Sequence, residues 1–344
     1  MVILPSSPMH MSHHPMRRTI RSVQAFSLCV LSLTLASRVQ AQDSSASYPN
    51  KPVKLIAPQA PGGGVDLVGR IIVDQLRLAM GQPFLLDNEA GAGGAIAAKM
   101  TSRAAPDGYT LMIGYVATHG TTPAVKKGIY DPIKDFTAIA MIGGTPNILV
   151  VNKNLPVSQL GELVVYAKEH PTQTDYGTSG VGTLNHLLME QFKNLTGMPS
   201  QAIAYRSIGQ AFTDSIGGHI QVIFPGLSAG LPHIRNGSFK ALAVTGERRH
   251  PLLPDVPTFK EAGYEGFNGL TWYGIVGPPK LPDSIRNKLN TEINKILSLP
   301  EVRKGFTEQA LNVMPMSVKE FENYMQLEVK HWHDVALASK IVLE

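Results

Sequence analysis

Two glycine-containing segments carry residue types suited to binding an anion. The first comprises Gly62, Gly63, Gly64, Val65 and Asp66, which stand between a predicted strand and a predicted helix. Glycine lets the backbone approach a bound molecule closely, and the free amides of a helix N-terminus favour negative charge. A carboxylate fits this chemistry. The alternative interpretation is structural, with the aspartate as the helix N-cap and the glycines as a tight turn.

The second segment offers hydroxyl groups and amides at the start of another predicted helix. Ser179, Gly180 and Thr183 precede or begin this helix, and His186 follows on it. The segment therefore predicts a second anion site at a helix N-terminus. We expect His186 to pack in the interior rather than to contact a ligand.

Several catalytic and cofactor motifs fail at a defining position. No Lys-Ser/Thr pair follows Gly62–Gly64, which excludes a nucleotide-phosphate loop. Ile96 stands where a dinucleotide motif needs its third glycine, and Val181 stands where a serine-hydrolase elbow needs its second. His331 and His333 are two residues apart on a predicted helix and point to different faces. We therefore expect no enzyme activity, no cofactor and no metal.

The N-terminus has the pattern of an export signal. Arg17, Arg18 and Arg21 precede an apolar run at 25–36, and a small-residue cleavage site ends at Ala41. We expect residues 1–41 to be a signal peptide, with 1–15 as an upstream extension, and the mature protein to lie in the periplasm. Cys29, the only cysteine of the chain, lies inside the apolar run, so disulfides and thiol chemistry are not predicted.

The positive charge of the chain is concentrated in this segment. Residues 1–41 contain four arginines and no acid, so the formal net charge falls from +5 to about +1 after cleavage. A nearly neutral chain gives no electrostatic argument for a nucleic-acid partner. We expect a monomer that binds no nucleic acid.

About 300 residues remain after cleavage, more than one hydrophobic core usually supports. Two series of strand, glycine turn, helix and strand predict two α/β lobes. We expect one lobe from 48–145 plus 256–344 and the other from 146–255, with two crossings of the chain between them. We expect the last quarter of the chain to be helical, without strands of its own. There, Ser317 and Glu320 have the spacing of a capping box.

Eight spaced motifs of this sequence together resemble the substrate-binding proteins of tripartite tricarboxylate transporters, the Bug receptors. They are YPNKPV (48–53), APGGGVD (60–66), GAGG (91–94), APDGYTLMIG (105–114), YDPIKDF (130–136), GTSGVGTLNHL (177–187), ALAVTGERR (241–249) and LPDVPTFKEAG (253–263). The resemblance covers essentially the whole mature chain.

The resemblance implies a type II periplasmic-binding-protein fold with a ligand cleft between two α/β lobes. It implies that the cleft grips a carboxylate largely through backbone amides, hydroxyls and bridging waters, with few charged side chains. By position, it adds Thr118 or His119 to the first segment and Tyr205 and Ser207 to the second.

The sequence departs from the family pattern at two places. Val65 replaces a frequent hydroxyl residue, and Phe224 is followed by Pro225-Gly226 where the family often has a polar pair. We expect Phe224 to line a more apolar pocket, which favours an aromatic or aliphatic carboxylate over a polar amino dicarboxylate.

The function that the resemblance implies is a periplasmic receptor that captures a small carboxylate and delivers it to membrane permease subunits. The alternative is a sensor that reports carboxylate binding to a membrane signalling partner, because both use the same cleft.

Overall fold

The computed structural model describes residue 2 and residues 47–341. The predicted signal peptide at 1–41 lies outside the described residues. None of the described helices combines the length and apolar character that crossing a membrane requires.

Strands and helices alternate through most of the described chain. The strands are β1 (Val53–Ala57), β2 (Phe84–Asn88), β3 (Thr110–Tyr115), β4 (Thr137–Pro146), β5 (Ile148–Asn152), β6 (Tyr176–Thr178), β7 (Ala202–Ala204), β8 (Val222–Ile223), β9 (Phe239–Val244), β10 (Leu270–Gly277) and β11 (Asn312–Val313). The helices are α1 (Gly64–Met80), α2 (Ala95–Ser102), α3 (Thr122–Val125), α4 (Leu160–Glu169), α5 (Leu184–Thr196), α6 (Ile208–Ile216), α7 (Leu227–Arg235), α8 (Asp283–Ser298), α9 (Pro300–Glu308) and α10 (Val318–Ala338). A π-helical turn at Ala117–Thr121 precedes α3.

These strands form two sheets. The first has the order β11-β4-β10-β3-β1-β2, in which β1 is parallel to β2 and β3 while β10 is antiparallel to β3 and β4. The second has the order β7-β6-β8-β5-β9, in which β6 is parallel to β7 and β8 while β5 is antiparallel to β8 and β9. Each sheet therefore has a parallel part, whose strand ends are followed by helices.

Helix α1 shows why the sequence folds as it does next to the first sheet. Val68, Ile72 and Leu76 follow each other at four-residue spacing and are buried against the sheet. The helix ends at Gly81, whose left-handed backbone (φ 70°) lets its amide donate to the carbonyl of Arg77. The apolar stripe and the glycine cap fix the position of the helix, and with it the position of its N-terminus.

The chain passes from the first sheet to the second between Pro146 and Ile148 and returns after β9 into β10. Asn147, in the first passage, donates its amide to Thr245 Oγ1 at 2.8 Å and accepts the Thr245 amide at 2.8 Å. The Asn147 side chain and the Thr245 hydroxyl both donate to the carbonyl of Gly269, at 3.0 and 2.7 Å. The two passages are thus hydrogen-bonded side by side. The lobe boundaries at 145 and 255 stay a prediction.

The expectation that the last quarter of the chain is helical, without strands of its own, is wrong. Strand β10 lies inside the first sheet, between β4 and β3. Its residues from Trp272 onward are buried, so they lack the alternation of polar and apolar residues that marks a half-exposed strand. Two glycines, Gly274 and Gly277, further weaken the strand pattern.

Helix α10 packs across the molecule and begins as the sequence predicts. The capping box is confirmed, because Ser317 and Glu320 each accept the other's backbone amide. Further along, Glu328 accepts the indole N–H groups of Trp272 and Trp332, both at 2.9 Å. Burial raises the pKa of Glu328. The helix is thus joined to β10 through a carboxylate that two indoles share.

Candidate functional site

A cavity of about 560 Å³ is lined by loops and strand ends from both sheets. The residues from the part of the chain that builds the first sheet are Gln59, Gly64, Ala92, Gly93, Tyr115, Val116, Ala117, Thr121, Thr122, Lys126, Thr145, Thr271 and Tyr273. Those from the part that builds the second are Asn147, Ser179, Gly180, Val181, Gly182, Thr183, Leu184, Asn185, Ile208, Pro225, Gly226, Ser228 and Ala229. Its volume lies within the range of small-molecule sites.

The first predicted segment reaches the cavity through Gly64. Gly63 is the N-cap of α1, in an extended conformation and without a side-chain cap. The backbone at Gly64 also lies very close to Tyr273. A Cβ atom added at Gly64 would be only 2.5 Å from the hydroxyl oxygen of this tyrosine. Only glycine leaves the start of α1 open at this point.

Asp66 of the same segment is buried and holds the loop together. One of its carboxylate oxygens accepts the amide of Gly62 at 2.9 Å and Arg70 Nε at 2.9 Å, and the other accepts Asn88 Nδ2 at 3.2 Å. The hydrogen bonds from Arg70 and Gly62 hold the pKa of Asp66 below its usual value. Asp66 therefore stays ionised, and its negative charge is compensated by the positive charge of Arg70. Val65 is fully buried in the core.

The second predicted segment forms a hydroxyl-rich loop before α5. Ser179, Gly180 and Thr183 all line the cavity. Thr183 is the N-cap of α5 without a side-chain cap bond to the helix. Instead, its hydroxyl and that of Ser179 lie within hydrogen-bond distance of Asn185 Oδ1. His186 is buried and accepts the Gly182 amide at Nδ1, which agrees with its predicted packing role.

A third helix, α7, also begins at the cavity. Gly226 is its extended N-cap and has no side-chain cap, and both Gly226 and Ser228 line the cavity. The sequence analysis missed this site because Pro232 lies inside the helix and obscures the helical pattern. The turn at Pro225-Gly226 before an apolar residue is the signal that could have indicated a helix start.

Three uncapped helix N-termini thus meet at one cavity. Each carries a partial positive charge of about half an elementary charge on amides that lack intrahelical partners. Among the described lining residues there is no acidic side chain, and Lys126 is the single charged one. The cavity is therefore suited to a negatively charged ligand.

Nine residues predicted from the sequence do not line this cavity: Gly62, Gly63, Val65, Asp66, Thr118, His119, Tyr205, Ser207 and Phe224. The Thr118 hydroxyl is buried and bonds within its own turn, to the backbone of Tyr115. His119 is fully buried beside Phe136, and burial lowers its pKa to about 3, so it carries no charge at neutral pH.

The three predicted residues of the second sheet have partners of their own. The Tyr205 hydroxyl donates to Asp214 at 2.9 Å, and Ser207 caps α6 by accepting the Gln210 amide. Phe224 is fully buried and stacks on Phe259 and Phe267. These three phenylalanines form an aromatic cluster in the core. Phe224 therefore contacts other side chains and not the cavity.

The sequence analysis missed several polar residues that do line the cavity. Thr145 lies near the end of β4, and Asn147 directly follows this strand. Thr271 and Tyr273 lie on the neighbouring strand β10. Thr121 has a buried hydroxyl that lacks a hydrogen-bond partner among the described residues. Such a group is costly to bury unless a ligand or water satisfies it. The pairing of β4 with β10 brings the first four of these residues together, and no local sequence motif indicates that pairing.

Within residues 47–341 there is no group of three or more His, Cys, Asp or Glu side chains placed to hold a metal ion.

Known proteins resemble this chain over most of its length. The sequence model described as tripartite tricarboxylate transporter family receptor matches residues 68–341. Protein BugT of Bordetella pertussis is 30% identical over 314 residues, which are 90% of this chain and 95% of BugT. An R. palustris protein solved with adipate is 32% identical with a TM-score of 0.76, covering 86% of this chain and 99% of that one. MatC from Rhodopseudomonas palustris, solved with malate, is 30% identical with a TM-score of 0.72, covering 84% and 99%.

These similarities confirm the predicted fold class, an α/β fold of the type II periplasmic-binding-protein kind. The matching proteins are solute-binding receptors and not enzymes.

Proposed function

Because this chain belongs to the receptors of the tripartite tricarboxylate transporter family, we propose that it captures a small organic acid in the cavity and delivers it to membrane permease subunits. The observation that carries the proposal is the meeting of three uncapped helix N-termini at a cavity whose described lining contains no acid. The chain acts in the periplasm after removal of residues 1–41.

The carboxylate of the ligand lies between the start of α1 and the loop before α5. Its oxygens accept amides that follow Gly63 and donors from the segment Ser179–Thr183. Each helix end contributes about 0.3–1 kcal/mol of attraction, and up to about 2 kcal/mol when partly buried. The start of α7 at Gly226 adds a third source of the same attraction.

The rest of the ligand faces a mixture of neutral polar and apolar groups. The lining includes the hydroxyl-bearing residues Thr145, Thr271 and Tyr273 and also the apolar residues Val181 and Ile208. A carbon chain or ring with one or more carboxylates suits such a lining. The adipate and malate of two solved relatives are ligands of this class.

Binding couples the two sheets, because the ligand is contacted from both. A ligand shifts the balance between open and closed forms by the difference in its affinity for them. The hydrogen-bonded passages at Asn147 and Thr245 give the chain a narrow connection about which the two parts move. Closure around the carboxylate then produces the form that the permease recognises.

A thermal-shift screen of mono-, di- and tricarboxylates tests the binding proposal. A true ligand at one hundred times its Kd stabilises the protein by about 2.7 kcal/mol, which is readily measured. Each hit is compared with its neutral diamide, such as adipamide for adipate, which we expect to give no shift. The proposal fails if no carboxylate raises the Tm or if the neutral analogue raises it equally. Delivery is tested by measuring uptake of the labelled hit, which should be lost in cells that lack the gene for this protein.

A further inference from the structure

Lys126 is distinguished from all other described residues that line the cavity by its charge. It is partly buried and directly follows α3. Its backbone amide donates to the carbonyl of Thr122, which fixes the point at which its side chain leaves the chain. The otherwise neutral lining of the cavity therefore contains one positive charge.

Lys126 follows a residue that packs against the loop before α5. The preceding residue, Val125, packs so closely on this loop that a Cβ atom added at Gly182 would lie 2.7 Å from it. Lys126 also lines an adjoining groove of about 650 Å³ together with Lys127, Tyr130 and His333. A side chain shared between cavity and groove can reach a ligand from the solvent side.

The charge of Lys126 has no counter-ion among the described residues, since no ion pair within 47–341 involves it. The acid of the adjoining groove, Asp131, is paired with Lys134 and accepts the amides of Ile133 and Lys134. In the same groove, Lys330 is paired with Asp334. The two acids Asp131 and Asp334 are thus paired with other lysines. Lys127 also forms no ion pair with a described residue, but only Lys126 of the two lines the cavity.

We propose that Lys126 binds a second anionic group of the ligand and so selects dicarboxylates over monocarboxylates; this rests on the proposed function, in which a first carboxylate lies at the helix N-termini. A cavity of about 560 Å³ has room for a ligand with two carboxylates. The four-carbon stem of lysine lets its ammonium group follow ligands of different length. Closure removes water from the ion pair, which strengthens it relative to the open form.

The experiment is calorimetry with adipate and hexanoate, which share six carbons and differ in one carboxylate. It compares the parent protein with Lys126→Met, which keeps the apolar stem and removes the charge. Lys127→Met is the matched control, because Lys127 is the next residue, is exposed and does not line the cavity. Lys126→Arg tests whether a positive charge alone restores binding. The C4, C5, C7 and C8 pairs of di- and monocarboxylates are measured in the same way.

For the pair that binds most tightly, we expect the parent to favour the dicarboxylate by about tenfold or more. Lys126→Met should remove most of that preference and leave the monocarboxylate within about twofold, while Lys127→Met should change neither. Lys126→Arg should recover a large part of the preference.

Three results would overturn the assignment in different ways. If Lys126→Met binds the dicarboxylate as tightly as the parent, Lys126 does not contact it. If both ligands weaken equally, Lys126 binds the first carboxylate. If no carboxylate binds the parent, the proposed function itself fails, and the Lys126 assignment with it.

Discussion

The starts of α1 and α5 both face the cavity without a side-chain cap, but different chemistry holds them in place. At α1, a buried carboxylate, Asp66, gathers the amide of Gly62 and the side chains of Arg70 and Asn88. At α5, the hydroxyls of neighbouring residues gather around the neutral amide oxygen of Asn185. The start of α1 is thus held in place by a charged network, and the start of α5 by hydroxyl groups. We call these two helix starts the α1 entrance and the α5 entrance.

Because of this difference, we expect the α1 entrance to be rigid and the α5 entrance to adapt to the ligand. A charged network with several donors is costly to rearrange, since breaking it leaves a buried charge unpaired. Hydroxyl groups rotate and serve as donor or acceptor, so they can exchange a protein partner for a ligand oxygen. We therefore expect the α1 entrance to determine stability and shape, and the α5 entrance to supply adjustable hydrogen bonds to the ligand.

The largest effect is expected from Gly64→Ala at the rigid entrance. The new Cβ atom would lie 2.5 Å from the Tyr273 hydroxyl oxygen, so α1 or Tyr273 must move. Overpacking of this kind costs about 1–3 kcal/mol. We expect a loss of stability of that size in denaturant unfolding, together with at least about tenfold weaker binding of the carboxylate found in the screen.

A second substitution and a control make this test specific. Tyr273→Phe in the Gly64→Ala background removes the clashing oxygen and leaves the ring carbon at 3.4 Å, so part of the stability should return. Gly161→Ala is the control, because no atom lies within 4 Å of its added Cβ. Equal effects of Gly64→Ala and Gly161→Ala would show that close approach at α1 is unimportant.

Sequence reasoning located the two entrances because their signals are local. The predicted strand, the glycine run and the predicted helix are contiguous in the chain, and α1 begins at Gly64, within the predicted segment 62–66. The cavity wall formed by Thr145, Thr271 and Tyr273 was not predicted. These residues meet only because β10 returns to pair with β4 from more than 120 positions away, and a fully buried strand carries no alternating pattern.

Residues taken over from the family pattern are a separate case. His119 and Phe224 occupy the expected positions in the sequence, yet their side chains pack in the interior. Burial depends on what surrounds a side chain in three dimensions, and a motif does not contain that information. Whether any of the proposed ligand residues contacts a carboxylate stays a prediction.

A smaller effect, on stability without a direct effect on binding, is expected from Asp66→Asn, which removes the charge from the α1 entrance and keeps the side-chain shape. The neutral side chain cannot replace all three hydrogen bonds, so we expect a loss of about 1–3 kcal/mol in unfolding at pH 7. Asp74→Asn, an exposed change of equal charge on the same helix, should have little effect.

The pH dependence gives this test its sign. The pKa of Asp66 is lower in the folded protein than its ordinary value of 3.8, so its stabilising contribution is present above that pH. It is lost as the pH falls through the folded-state pKa. Asp66→Asn should therefore be less stable than the parent at pH 7 and approach it in acid. A constant difference across the pH range would argue against a charge-held entrance.

The smallest effect, and the sharpest contrast between the entrances, is expected from Ser179→Ala in the α5 loop. Asn185 Oδ1 keeps its contacts with Thr183 and with the amide of His186, so the stability of the unliganded protein should change by less than about 0.5 kcal/mol. A ligand oxygen would lose one hydroxyl donor, which corresponds to about three- to tenfold weaker binding. Ser207→Ala is the matched control, since Ser207 caps α6 outside the cavity lining and should cost about 1 kcal/mol of stability without affecting affinity. If calorimetry and unfolding show the reverse, with Ser207 needed for binding and Ser179 for stability, the ligand lies near the Tyr205–Ser207 turn and not at the start of α5.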